Sequence, residues 1–163
     1  MTGDRILCGW RVRSNVPLPE LLPWPGPASN EVDITITAAP NERQEEERTG
    51  YLHVRPDGSV LFQVPGLVRI LTRHTREMIV EVERHDTTDS WRLFLLGTAL
   101  NHLCLQRGCL PLHAATLRIG GQTVALAGQS GQGKSTLAAT LGRRGHKLLS
   151  DDVAVLDVGS APA

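Results

Sequence analysis

Apolar and polar residues alternate over several short stretches in the first half of the chain. Residues 32–37, Val-Asp-Ile-Thr-Ile-Thr, keep a period of two and predict a half-buried strand. Residues 51–54 and 59–64 predict two more. They are joined through Pro56-Asp57-Gly58, where proline sets φ and glycine permits a positive one. Residues 78–83, Met-Ile-Val-Glu-Val-Glu, predict another strand. The region 1–88 therefore reads as a small, mostly antiparallel β unit. Within it, five prolines fall between Val16 and Pro27, with Trp24 between two of them. Such a stretch excludes a helix or a central strand and predicts an extended surface segment over 16–27. The run 41–48, Asn-Glu-Arg-Gln-Glu-Glu-Glu-Arg, predicts a solvated loop, with an acidic interaction patch as the alternative.

From Asp89 onward the period lengthens. Leu93, Leu96, Leu100, Leu103 and Cys104 recur at helical spacing and predict one apolar helix face. Thr88 or Asp89 can cap its start, and Gly108 sits where it would stop. Cys104 and Cys109 straddle that stop without a second pair of ligands, which favours core packing over a metal site. Residues 123–127, Thr-Val-Ala-Leu-Ala, predict a short buried strand, and 135–144 a helix of about 15 Å that ends at Gly145. Residues 146–150 then predict a returning strand of similar length, and 153–158 a further one. Residues 89–163 are thus expected to form an α/β unit with a parallel sheet, preceded by the β-rich region.

Between strand and helix lies Gly128-Gln129-Ser130-Gly131-Gln132-Gly133-Lys134-Ser135, the pattern of a phosphate-binding loop in a strand–loop–helix setting. Its glycines let successive backbone N–H groups turn inward toward phosphate oxygens, and the helix that opens through Ser135 and Thr136 adds its positive end. Lys134 brings a charge to the β and γ phosphates, and the Ser135 hydroxyl is placed to ligate Mg²⁺. A glycine-rich turn without ligand is the bland alternative. Upstream, Gly120-Gly121 is a two-residue hairpin signal. If those glycines form the turn, residues pair when their numbers sum to 241, which sets His113 opposite Gly128. An imidazole there would stand beside the phosphates, although a satisfied histidine at a strand start is an equal reading. Downstream, the matched lengths of helix and strand bring Asp151-Asp152 back to the end of the sheet that carries the loop, where ligands bind in open α/β sheets. A carboxylate there can hold Mg²⁺ or accept a hydroxyl proton; a turn-starting aspartate pair is the alternative.

Composition narrows the function classes. Lys plus Arg number 17 and Asp plus Glu 17, a balance that argues against a nucleic-acid binder with a broad basic face, while leaving a local patch open. Hydrophobic residues at 40% suffice for a globular core. Three cysteines make no disulfide scaffold and suit a reducing compartment, and no apolar run reaches the ~18 residues of a membrane span. The expectation is a soluble, cytoplasmic protein.

The stretch from Leu110 to Leu156 resembles the catalytic domain of the HPr kinase/phosphorylase family and its smaller kinase-like relatives. The resemblance rests on Leu112-His113 before a hairpin, then on 128–135. Arg144-Gly145-His146 and Leu149-Ser150-Asp151-Asp152 follow at kept spacing. It implies ATP- and Mg²⁺-dependent phosphorylation of a serine hydroxyl on a small protein or peptide. Carried over, residues 128–136 hold nucleotide and Ser135 and Asp152 hold Mg²⁺. Asp151 is then the general base, exchangeable in role with Asp152, and His113 lines the site. Gln129 stands where the bifunctional enzymes usually carry an acidic residue, which weakens the case for the reverse reaction. The family's later strands, a further acidic ligand and a second signature segment have no counterpart after Lys134. The chain therefore reads as the N-terminal part of a kinase, with self-association or a completing second chain expected. Two other functions compete: a non-catalytic nucleotide-binding remnant or scaffold, and a P-loop kinase or ATPase acting on a small molecule.

Overall fold

Cys8 and Gly9 both adopt positive φ, at 52° and 84°, and so close a tight hairpin between β1 (Arg5–Leu7) and β2 (Trp10–Ser14). This hairpin begins the first of two units in the computed structural model, which describes residues 3–39, 51–82 and 89–159. The first unit ends at Arg107 and the second begins at Gly108. The predicted loop 41–48 and the alternative cap Thr88 lie outside the described residues.

The first unit is built on an eight-stranded sheet. After β1 and β2 come β3 (Leu22–Pro23), β4 (Ile34–Ala38), β5 (Leu52–Val54), β6 (Val60–Val64), β7 (Val68–Arg73) and β8 (Glu77–Val82). Their order across the sheet is β3-β1-β2-β4-β8-β7-β6-β5. All pairs are antiparallel except those of β4, which runs parallel to β2 and β8. Val12, Ile34, Ile36, Val68, Ile70, Met78 and Val80 line its buried face. β7 is absent from the predicted strands because Thr72 interrupts the apolar alternation. That threonine is buried all the same, with its hydroxyl donating to the Val60 carbonyl at 3.3 Å.

The proline-rich segment is more than a surface strap. Val16, Leu18 and Leu21 are buried, and Leu22–Pro23 pair with β1 at the sheet edge, a place where a strand proline need lose no ladder bond. Asp4 ties this corner together. It accepts hydrogen bonds from both Arg11 and Arg13, and the Arg13 bond foremost holds its carboxyl below the usual range, against the opposing effect of burial.

The predicted helix forms, but its face is rotated. α1 (Trp91–Phe94), a π-helical turn (Leu95–Ala99) and α2 (Leu100–Gln106) follow one another without a break. The π turn inserts a residue into the repeat. Before Leu100 the buried positions therefore fall at Trp91, Leu95 and Ala99, and Leu93 is left 75% exposed. Asp89 does not cap the helix with its side chain; it pairs instead with Arg92 at 2.9 Å. The helix groups with the first unit rather than with 108–159, so the boundary falls after Arg107 and not after residue 88. Its fastenings explain why. Phe94 stacks on Phe62 with ring centres 5.8 Å apart, and Gln106 donates to the Gly58 carbonyl. Arg107 donates to the Thr75 carbonyl and lies 4.5 Å from the centre of the Trp10 ring.

The second unit is organised around β9 (Cys109–Ile119). β10 (Gln122–Ala127) pairs with it antiparallel from Ile119↔Gln122 to Ala114↔Ala127, the register that a Gly120-Gly121 turn dictates. β11 (Lys147–Ser150) and β12 (Val153–Asp157) both run antiparallel to β9 along its other side. β10 and β11 thus point the same way but never touch as neighbours; the expected parallel sheet is replaced by antiparallel pairing through β9. A one-residue register shift separates Leu148↔Leu117 from Ser150↔Thr116. α3 (Lys134–Arg143) covers one face, packing Ala138 against Ala115 and Leu117 with Ile119, Leu126 and Leu141 around them. It ends in a closed turn, Gly145 N–H to Gly142 and His146 N–H to Leu141, with Gly145 at φ 92°.

Burial lowers the pKa of His102, on α2, below the ordinary 6.5. The folded unit then resists a proton that the unfolded chain accepts, so stability is full above pH 6.5 and falls as pH drops below it. His102→Gln is expected to flatten this limb. Thermal midpoints at pH 7.5 and 5.5 should differ less in the variant than in the parent.

Candidate functional site

β10 ends at Ala127, and the chain turns through 128–133 into α3. Gly131 and Gly133 take φ of 82° and 81°, a region that side-chain-bearing residues enter only at a cost, so the turn demands glycine at both places. The helix start has no side-chain cap and no acidic residue in its first turn. The N–H groups of Lys134, Ser135 and Thr136 therefore meet no acceptor within the helix and carry its positive end.

The loop is held by its own side chains. Lys134 Nζ donates to the carbonyls of Gly128 at 2.9 Å and Gln129 at 3.0 Å, which folds the ammonium over the loop. The Gln132 carboxamide oxygen accepts the Gln129 N–H at 3.0 Å. It also lies 2.5 Å from where a Cβ on Gly128 would stand. An oxygen thus already sits on an inward-turned loop N–H, as a phosphate oxygen would. Ser130, Ser135 and Thr136 are exposed.

Two further segments reach the same end of this unit. The last β9–β10 pair is Ala114↔Ala127, so one more step of that register sets His113 beside Gly128. On the other side, Ser150 pairs with Thr116 and Val153 with His113, and the Asp152 carbonyl accepts the Ala114 N–H at 3.1 Å. The Asp152 carboxylate meets His113 Nδ1 at 2.9 Å. The same nitrogen lies 3.2 Å from the Asp152 carbonyl, so a proton on Nδ1 has two acceptors on one residue and Nε2 faces away. Asp151 is exposed, with no ion pair or hydrogen bond among the described residues. The Ser150 hydroxyl bonds the Val153 carbonyl and closes the turn that carries both aspartates. Sequence reasoning passed over that hydroxyl and the Gln132 oxygen; a serine three residues before a strand start was the available signal for the first.

Three sequence-predicted groups therefore converge: the loop, His113 and the aspartate pair. Chemically the end offers backbone N–H groups and an ammonium for an anion, a hydroxyl and a carboxylate for a hard cation, and a second carboxylate for a proton. A stretch of 47 residues is 43% identical to a protein described as "Putative HPr kinase/phosphorylase 2" from Oceanobacillus iheyensis. The relation is distant and partial. The match takes in 29% of this chain and 15% of that protein's length. No protein-family model matches the chain, and neither does any solved structure. Among the described residues, no helix is long and apolar enough to cross a membrane.

The loop's glycine requirement is open to a paired test. Gly133→Ala places a methyl at φ 81° and is expected to cost about 1–2 kcal/mol. Gly142→Ala, in α3 with nothing within 4 Å of the added carbon, should instead stabilise by about 0.5–1 kcal/mol. Denaturant midpoints measure both.

Proposed function

We propose that residues 108–159 form a P-loop nucleotide-binding unit that transfers phosphate from ATP to a serine hydroxyl of a small protein or peptide. The observation that carries this reading is the convergence of the Lys134 loop and the His113–Asp152 pair at the middle of β9, where β10 ends and β12 begins. The partial similarity to an HPr kinase supports the same reaction class. A cytoplasmic protein is consistent with it.

The residues present fit ATP and Mg²⁺. Loop N–H groups of 128–133 and the first N–H groups of α3 receive phosphate oxygens, and binding moves Gln132 out and turns Lys134 from the loop carbonyls to the β and γ phosphates. Ser135 and Asp152 would be the oxygen donors for Mg²⁺, which when bound would offset the charge that develops on the phosphates. His113 keeps the Asp152 carboxylate turned to its place. Asp151, with no competing partner, takes the proton of the acceptor serine as its oxygen bonds to the γ phosphorus. The bond from that phosphorus to the β–γ bridging oxygen breaks, and ADP leaves with the electron pair. This reading gives base and metal ligand to different aspartates, supported by the His113 contact of Asp152 and the exposure of Asp151.

Lys134→Ala is expected to weaken ATP binding by about tenfold or more in calorimetry, since it removes the loop's one side-chain charge. Asp151→Asn should leave ATP affinity unchanged and lower phosphoryl transfer by ~10²–10⁴-fold, read with labelled ATP and serine peptides. Asp152→Asn should lower the Mg²⁺ dependence of ATP binding instead. ATP binding with no transfer to any hydroxyl would identify a non-catalytic nucleotide binder.

A further inference from the structure

Three hydrogen bonds of the glycine-rich loop meet on the backbone of Gln129. Its N–H donates to the Gln132 carboxamide oxygen at 3.0 Å, and its carbonyl accepts the Gln132 N–H at 3.3 Å and Lys134 Nζ at 3.0 Å. Gln129 and Gln132 are thus tied in both directions, once through a side chain and once through the backbone. Gly128 belongs to the same arrangement. It stays outside the left-handed region that Gly131 and Gly133 occupy, so its own backbone gives no reason for glycine. The reason lies in space, because the Gln132 oxygen stands where a Cβ would press on it. The loop is therefore closed on itself, with an inward N–H and its ammonium both already bonded.

We propose that Gln132 is a tethered competitor of nucleotide phosphate, a residue that sets how readily the loop takes its ligand. This role rests on the nucleotide-binding reading of the loop. A carboxamide oxygen is a neutral acceptor, and a charged phosphate oxygen makes a hydrogen bond roughly twice as strong. Phosphate therefore wins the Gln129 N–H, but against a group that is built into the same loop and cannot be diluted away. Only molecules with Gln132 swung out are competent to bind, and the apparent affinity falls by their fraction. A neutral hydrogen bond of ordinary net strength favours the closed form by about two- to tenfold. Lys134 adds to the same balance, since its two carbonyl bonds are given up when it turns to phosphate. The direction of the effect separates this role from a supporting one. Truncating a residue that merely shapes the loop weakens binding, whereas truncating a competitor strengthens it.

The test uses the full chain and two readouts: ATP affinity by calorimetry with Mg²⁺ present, and exchange of the Gln129 amide proton with solvent, followed by NMR without nucleotide. Gln132→Ala is expected to bind ATP about two- to tenfold more tightly and to exchange that proton several-fold faster. Gln132→Glu keeps an acceptor on the N–H and adds a charge that repels phosphate. It should retain the slow exchange and bind ATP more weakly than the parent. Gly128→Ala displaces the Gln132 oxygen from the other side. Alone it should speed exchange as Gln132→Ala does, and in the Gln132→Ala background it should speed it no further. The competitor role is overturned if Gln132→Ala binds ATP no more tightly than the parent, or leaves the exchange unchanged. Additive effects of the two substitutions on exchange would overturn it as well. ATP binding by the parent without a gain in Gln132→Ala removes the competitor alone. Absence of ATP binding in both removes the nucleotide reading and the competitor with it.

Discussion

β9 is paired along both of its edges, and everything that makes the second unit chemically interesting is placed by that pairing. On one side β10 delivers the chain to the loop; on the other β11 and β12 pass the aspartate turn alongside Ala114. A strand whose backbone donors and acceptors are taken on both sides cannot slide without breaking two ladders at once. The loop, the imidazole and the carboxylates therefore share one reference line. The helix contributes less to position than to cover: Ala138 seated on Ala115 and Leu117 is a small apolar contact, and it is the hydrogen-bonded frame that sets distances.

The first unit solves a different problem, that of closing a wide sheet with few large side chains. Aromatic residues make up 4% of the chain, and several of those rings sit at junctions rather than in the middle of the core. Trp24 packs against Arg11, Trp10 against Arg107, and Phe62 against Phe94. Each contact joins segments far apart in sequence, and arginine does for two of them what a second ring would do. The pairing of Asp4 with Arg11 and Arg13 belongs to the same economy, since one carboxylate serves two strand-borne cations beside the proline-rich segment.

What could be read from the residues depended on whether the signal was local. The loop pattern, the Gly120-Gly121 turn and the Gly145 stop are local, and each names its own backbone conformation. The strands at 32–37, 59–64 and 78–83 are also legible because alternation needs no partner. The helix face was misplaced by a π turn, which arises from packing and leaves no mark on the spacing of Leu93 and Leu96. The burial of Leu18 inside a proline-rich stretch, and the parallel course of β4, depend on distant strands. At the site, proximity of His113 to the loop followed from counting across a hairpin. Its bond to Asp152 required a second count, through a helix and past an irregular strand, where one residue of error changes the answer.

That irregularity has a genetic reading. Before it, β9 and β11 pair where residue numbers sum to 265, and after it where they sum to 266. Under the first rule Asp151 would lie level with Ala114; under the second Asp152 does. Which of two adjacent, chemically identical side chains lies beside the imidazole is therefore set by a parity upstream of them. Gaining a single codon here while the shift stays at one residue would bring Asp151, in place of Asp152, level with Ala114, whereas losing one while the shift closes would leave Asp152 there.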